Sequence, residues 1–238
     1  MAIQMLKLSI YLELKVKKEY IHRITKPLSI MQGRTFKDYT SFKSKHPNCL
    51  ITQFDTVVGL INDKKRILTI HFPALHFQFG ILLNENTTKE VNSKLLELRN
   101  KIGIMEWKRL FPIMLSDNGV EFNDFYKLEI EQSTGEVISN VFYCNPYSSS
   151  QKGACERNHE LFRYILSKGN SFEFLTQEKV DLMFSHINSQ YRKSINGIRP
   201  IDLAKSVLGQ KFLDIINIKT IEPDEVNLSI SLIKKIKQ

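Results

Sequence analysis

The chain of 238 residues has little cysteine, no clustered histidine and no long apolar run. Its three cysteines, Cys49, Cys144 and Cys155, are odd in number and far apart, which excludes a CxxC pair and a disulfide framework. Reduced thiols in a cytoplasmic protein are expected. The six histidines are scattered, and His71 and His76 flank a Pro-Ala turn in strand-like surroundings rather than at helical ligand spacing, which argues against zinc. No apolar stretch reaches the roughly 18 residues of a membrane span. The N-terminus is apolar only at alternate positions, unlike the continuous core of a signal peptide. A glycine-rich phosphate loop of the GxxxxGK type is absent, so no nucleotide cofactor is assigned. Internal repeats and low-complexity tracts are absent too.

Positive charge is what the chain has in excess. The net charge is +9, and residues 1–45 hold ten Lys/Arg against three acids, so +7 of it lies in the first fifth. A basic arm of this kind suits a polyanion, most simply nucleic acid, and predicts an affinity that falls steeply with salt. A solvated face on a basic protein is the plainer reading, and charge alone does not separate the two.

Apolar periodicity sets the organisation. Leu6 to Val16 alternates strictly and reads as a strand within the basic arm, with 17–45 as a connector. Leu50–Ile61, Arg66–Phe72 and Phe77–Leu83 are strand candidates separated by Asn62-Asp63 and Pro73-Ala74, an antiparallel meander. Thr87 caps a helix that ends at Gly103. Phe111–Leu115 and Asn140–Cys144 are two further strands. Helices follow over Gly153–Ser167, from Gln177 to Tyr191 and from Pro200 to Leu208, and the segment Pro223–Gln238 alternates. Three strands in a meander followed by βα crossovers predict an α/β fold: a mixed five-stranded sheet with flanking helices. The expected division is a basic arm (1–45), a core (46–205) and a C-terminal segment (206–238).

Three acids stand out by position. Asp55 lies inside an otherwise apolar or small strand, QFDTVVGL, where an aspartate is costly to bury without a partner. Asp117 sits where the fourth strand ends, in IMLSDNGVEF. Glu156 falls in the first turn of the helix after the fifth strand, in QKGACERNHELFR. Three converging carboxylates repel one another unless divalent cations neutralise them. Mg²⁺ accepts such oxygen ligands, and two ions about 4 Å apart can serve phosphoryl transfer. Spacing alone leaves plainer readings open. Asp55 would be a strand aspartate satisfied by backbone amides, Asp117-Asn118-Gly119 a simple turn, and Glu156 a helix N-terminal acid favoured by the helix dipole.

The flanking motifs resemble the transposases of the IS-thirty family of bacterial insertion sequences, members of the DDE transposases and retroviral-type integrases. GRTFKDYTSF (33–42), QFDTVVG (53–59), FPIMLSDNGVEF (111–122), FYCNPYSSSQKGACERNHELFRYILSKG (142–169) and HINSQYRKSINGIRPIDL (186–203) match in order. The combination of DNG-x-EF with QKG-x-x-E-x-x-H-E is specific, and the resemblance spans roughly residues 33–235.

The resemblance implies a ribonuclease-H-like fold and DNA transposition. Water cuts a strand at the element's end, and the freed 3′-hydroxyl attacks a phosphodiester of target DNA. It implies Asp55, Asp117 and Glu156 as catalytic ligands of two Mg²⁺ or Mn²⁺ ions, with Glu160 as the rival to Glu156. Arg163, seven residues after Glu156 on the same helical face, takes the role of a DNA phosphate contact, and Lys152 and Arg157 extend that contact. Element ends and target DNA are the implied partners, in a homo-oligomer and without a membrane.

Two departures bear on these expectations. The family's N-terminal helix-turn-helix region has no counterpart before Asp55, which keeps an idle remnant or a DNA-binding regulator as one alternative and a nuclease on the same fold as another. The 38 residues between Asp117 and Glu156 exceed the spacing of many integrase-like cores, which predicts a surface insertion near Glu129 to Gly135. Asn118 and Gly119 are expected to shape the turn rather than touch DNA. Trp107 is read as a packing residue. His159 lines the site or packs beside it, and Arg192, Lys193 and Arg199 are either a basic surface or a solvated helix end.

Overall fold

Asn62-Asp63 and Pro73-Ala74 turn the first apolar block back on itself twice. In the computed structural model, which describes residues 26–146, 148, 151 and 160–234, β1 (Ile51–Val58), β2 (Arg66–Phe72) and β3 (Phe77–Leu83) form an antiparallel meander. β4 (Ile113–Ser116) and β5 (Asn140–Tyr143) join in parallel on the other side of β1. The order β3-β2-β1-β4-β5 makes a mixed five-stranded sheet with flanking helices, as the strand pattern led us to expect. The alternating strand at Leu6 to Val16, and with it most of the basic arm, lies outside the described residues, as do Lys152 to His159 and the last four residues.

Eight helices are bounded among the described residues: α1 (Leu28–Met31), α2 (Phe36–Lys45), α3 (Thr88–Ile102), α4 (Ile104–Leu110), α5 (Gln177–Ser189), α6 (Pro200–Leu208), α7 (Gln210–Ile215) and α8 (Ser231–Lys234). Residues 160–165 are helical as well. Thr87 and Thr176 cap α3 and α5 through their hydroxyls, and Gly103, at φ 84°, ends α3 in a conformation that favours glycine. No helix among the described residues is long and apolar enough to cross a membrane.

The segment read as a connector holds α2 instead. Thr35 and Asp38 form a reciprocal capping box: the Thr35 hydroxyl accepts from the Asp38 amide, and the Asp38 carboxylate accepts from the Thr35 amide at 2.9 Å. Phe36, Tyr39 and Phe42, three residues apart on one helical face, then pack with Ile113, Leu115 and Phe142 on the sheet. Basic residues on the other face masked this short stripe. The C-terminal segment also differs from its alternating pattern. It forms a 3-10 turn (Pro223–Glu225) and then α8, whose Leu232 and Ile233 are buried in the main core.

Both edges of the sheet are closed by side chains. On β3, Asn188 of α5 accepts from the Gln78 amide at 3.1 Å and donates to the Gln78 carbonyl at 2.6 Å. Gln177, at the other end of α5, donates to the Gly80 carbonyl at 2.9 Å and accepts from the Leu82 amide at 2.7 Å. Gly80 lets the helix come this close, since a Cβ there would collide with Phe184 and stand 2.8 Å from Ile67. On β5, the Val141 amide donates to Glu129 and the Tyr143 amide to the Arg34 carbonyl, both at 2.9 Å. The region expected to be an insertion carries this second seal. Ile130 and Val137 form an antiparallel bridge, and Glu129 is held by Arg34 at 2.6 Å.

Candidate active site

β1 and β4 are the parallel pair at the middle of the sheet, and their register decides what meets at their C-terminal ends. Phe54 lies opposite Ser116. Asp55 and Asp117 are the next residue on each side of this pair, Asp55 still within β1 and Asp117 in the turn after β4. Both aspartates are half-buried rather than sealed in the core, so water and ions can reach them. The costly buried aspartate expected on β1 therefore sits at the rim of the core.

The turn after β4 is tightly specified. Gly119 donates its amide to Asp117 Oδ1 at 3.0 Å. Asn118 is buried and donates to the Cys144 carbonyl at 2.6 Å, fixing the turn to the end of β5. Both residues shape the turn, as the sequence predicted. Gly119 has a φ of −53°, open to any residue. Space is what requires glycine here, because a Cβ would lie 2.5 Å from Glu121 Oε2 and 3.0 Å from Asp117 Oδ1. Gly119→Ala is expected to push the two carboxylates out of place and to destabilise the fold by about 1–3 kcal/mol, the usual range for overpacking. Thermal denaturation alongside DNA cleavage would check it, and wild-type values in both would refute it.

Three residues around the site escaped the sequence reading: Glu121, Thr56 and Lys26. Glu121 is only 6% exposed, and its Oε1 accepts from the Thr56 hydroxyl at 2.6 Å. Thr56 also donates its amide to Asp55 Oδ1 at 3.0 Å. Lys26, 7% exposed, donates to the Gly119 carbonyl at 2.9 Å and to Asn123 Oδ1 at 3.0 Å, with its ammonium 4.7 Å from the centre of the Tyr143 ring. Burial pushes Lys26 down to about 8 against the pull of Asp117 and Glu121, which raise it. Glu121 stood inside the DNG-x-EF motif and was the available signal. Nothing in the basic N-terminal third distinguished Lys26 from its neighbours.

The third acid, Glu156, lies outside the described residues, together with Lys152, Arg157 and His159. Glu160 and Arg163 fall in the helical residues 160–165. Arg163 is partly buried and donates to the Val58 carbonyl at 3.1 Å, which ties that helix to the end of β1 three residues beyond Asp55. Burial lowers its pKa from the usual arginine value. Arg192 donates to the Ile187 carbonyl at 2.8 Å and Arg199 pairs with Asp202 at 2.7 Å, so both are engaged within the fold. Among the described residues, no group of three His, Cys, Asp or Glu side chains is placed to hold a metal ion. Asp55 and Asp117, both partly exposed and each following one member of the Phe54–Ser116 pair, carry carboxylate oxygens of the kind that suits a hard divalent cation.

No family model matches the chain. It is 25% identical over 166 residues to the transposase of insertion sequence element IS4351 from Bacteroides fragilis, covering 66% of this chain and 45% of that protein. It is 27% identical over 166 residues to a protein named as an integrase in a Spiroplasma virus, covering 68% and 48%. The chain thus spans about half the length of these curated relatives. Among solved structures, it is similar to the catalytic core domain of BIV integrase at 18% identity and a TM-score of 0.42, covering 64% of this chain and 91% of that one.

Proposed function

We propose, starting from the kinship of this chain with insertion-sequence transposases, that residues 46–205 are the catalytic core of a DNA transposase, with 1–45 as a basic arm and 206–238 as a C-terminal segment. The observation that supports this reading is the β1–β4 register, which runs in parallel up to Phe54 and Ser116, the residues immediately before the two aspartates. Asp55 and Asp117 would hold Mg²⁺ or Mn²⁺ ions together with Glu156, and Glu160 is the competitor for the third place. Such ions supply Lewis-acid activation of oxygen nucleophiles and charge neutralisation when bound.

The chain's own residues supply placement. The Asn118–Cys144 hydrogen bond and the Gly119 amide fix Asp117, and the Thr56 amide orients Asp55. Lys152, Arg157 and Arg163 would meet DNA phosphates and fix the strand's register without reading its sequence. Cleavage consumes one water and releases a 3′-hydroxyl. Joining forms a new bond from that oxygen to a target phosphorus as the old phosphodiester breaks, so no energy-rich cofactor is required. Copies of the chain would meet as a homo-oligomer on the paired ends.

Pre-cleaved element ends test the reading. Incubated with the full chain, target DNA and Mg²⁺, they are expected to give joined products. Hydrolysis without joining would replace the transposase by a nuclease. Neither product would leave a DNA-binding remnant.

A further inference from the structure

We propose that Glu121 and Thr56 are positioning residues that lock Asp55 and Asp117 into one rigid unit, with Lys26 as the counter-charge that makes this possible. The proposal rests on the metal-dependent transposase reading and deepens it. Thr56 serves both strands at once: its amide holds Asp55 Oδ1 at 3.0 Å and its hydroxyl holds Glu121 Oε1 at 2.6 Å. Gly119 does the same on the other side. Its amide holds Asp117 Oδ1, its carbonyl receives Lys26, and the Glu121 carboxylate stands so near that a Cβ on Gly119 would lie 2.5 Å from its Oε2. The path from one aspartate to the other thus runs through two residues that each bind twice, closed by a buried glutamate.

A buried glutamate beside an aspartate is unfavourable unless a cation is near. Lys26 is that cation, buried itself and within the field of both carboxylates. Glu121 therefore contributes both a shape, through Thr56, and a charge.

Residues that orient metal ligands typically change metal affinity 10- to 100-fold when altered. Mn²⁺ titration of the full chain by calorimetry separates the two contributions, with the melting midpoint of the metal-free protein as a check on folding. Glu121→Gln keeps the shape and removes the charge, whereas Thr56→Val removes the hydroxyl and keeps the charge. Each is expected to weaken Mn²⁺ binding about tenfold, and Thr56→Ser is expected to restore it. Affinities within twofold of wild type in both variants, with Asp55→Asn unable to bind, would overturn the positioning role alone. Wild-type Mn²⁺ binding by Asp55→Asn would overturn the metal reading and this proposal with it. Should Glu121→Gln fail to fold, Thr56→Val against Thr56→Ser decides.

Discussion

Asp55→Asn and Asp117→Asn are each expected to reduce Mg²⁺-dependent strand cleavage and joining by several kcal/mol of transition-state stabilisation, on the order of a thousandfold or more. DNA binding should persist, because Lys152, Arg157 and Arg163, the residues assigned to phosphate contact, are unchanged. Each aspartate follows one member of the Phe54–Ser116 pair that closes the parallel β1–β4 register. An asparagine at either place fills the same volume and keeps an oxygen, yet removes one of the charges an ion needs. Both variants should therefore fold normally, since neither carboxylate is buried in the core. The same assay run on Glu156→Gln and Glu160→Gln decides which of these two acids is the third. Cleavage at the wild-type rate in either aspartate variant would remove that residue from the site.

Trp107→Ala should produce the largest loss of stability. Trp107 is fully buried, stacks on Phe111 with ring centres 4.4 Å apart, and donates its indole N–H to the Ser139 hydroxyl at 2.9 Å. Truncating a core tryptophan costs about 3–5 kcal/mol. Leaving the Ser139 hydroxyl without its donor adds to that. A fall in melting temperature of roughly 10 °C follows at about 2–4 °C per kcal/mol for a chain of this size. The effect should also reach the site, because Phe111 leads directly into β4 and so into Asp117. A shift below about 3 °C, the equivalent of roughly 1 kcal/mol, would show that Trp107 packs less tightly than described.

The strands and long helices were legible because each has one strong periodic signal. Arg66–Phe72 and Phe77–Leu83 have the limits that the turn residues predicted, and Pro200–Leu208 starts at its proline. The meander followed from the short turns between its strands, and the two aspartates stood out through their flanking motifs. Other features were hidden for physical reasons. α2 shows only three apolar residues, and their partners Ile113, Leu115 and Phe142 are distant in sequence. Glu121 and Thr56 become site residues only through a contact across 65 positions, which no local pattern reveals. Lys26 draws its meaning from burial, and a basic segment gives no sign of which of its lysines is buried.

The side chains that seal the sheet also limit how copies of the chain can assemble. Asn188 and Gln177 occupy backbone groups that a further strand would need along β3, while Glu129 and the Arg34 carbonyl do the same along β5. Extending the sheet from one subunit into the next would require α5 or the Arg34–Glu129 contact to let go first. Any association of copies would be left to the helical and loop surfaces. The sheet would then stay a private scaffold, and the number of copies could vary without disturbing the geometry each one carries.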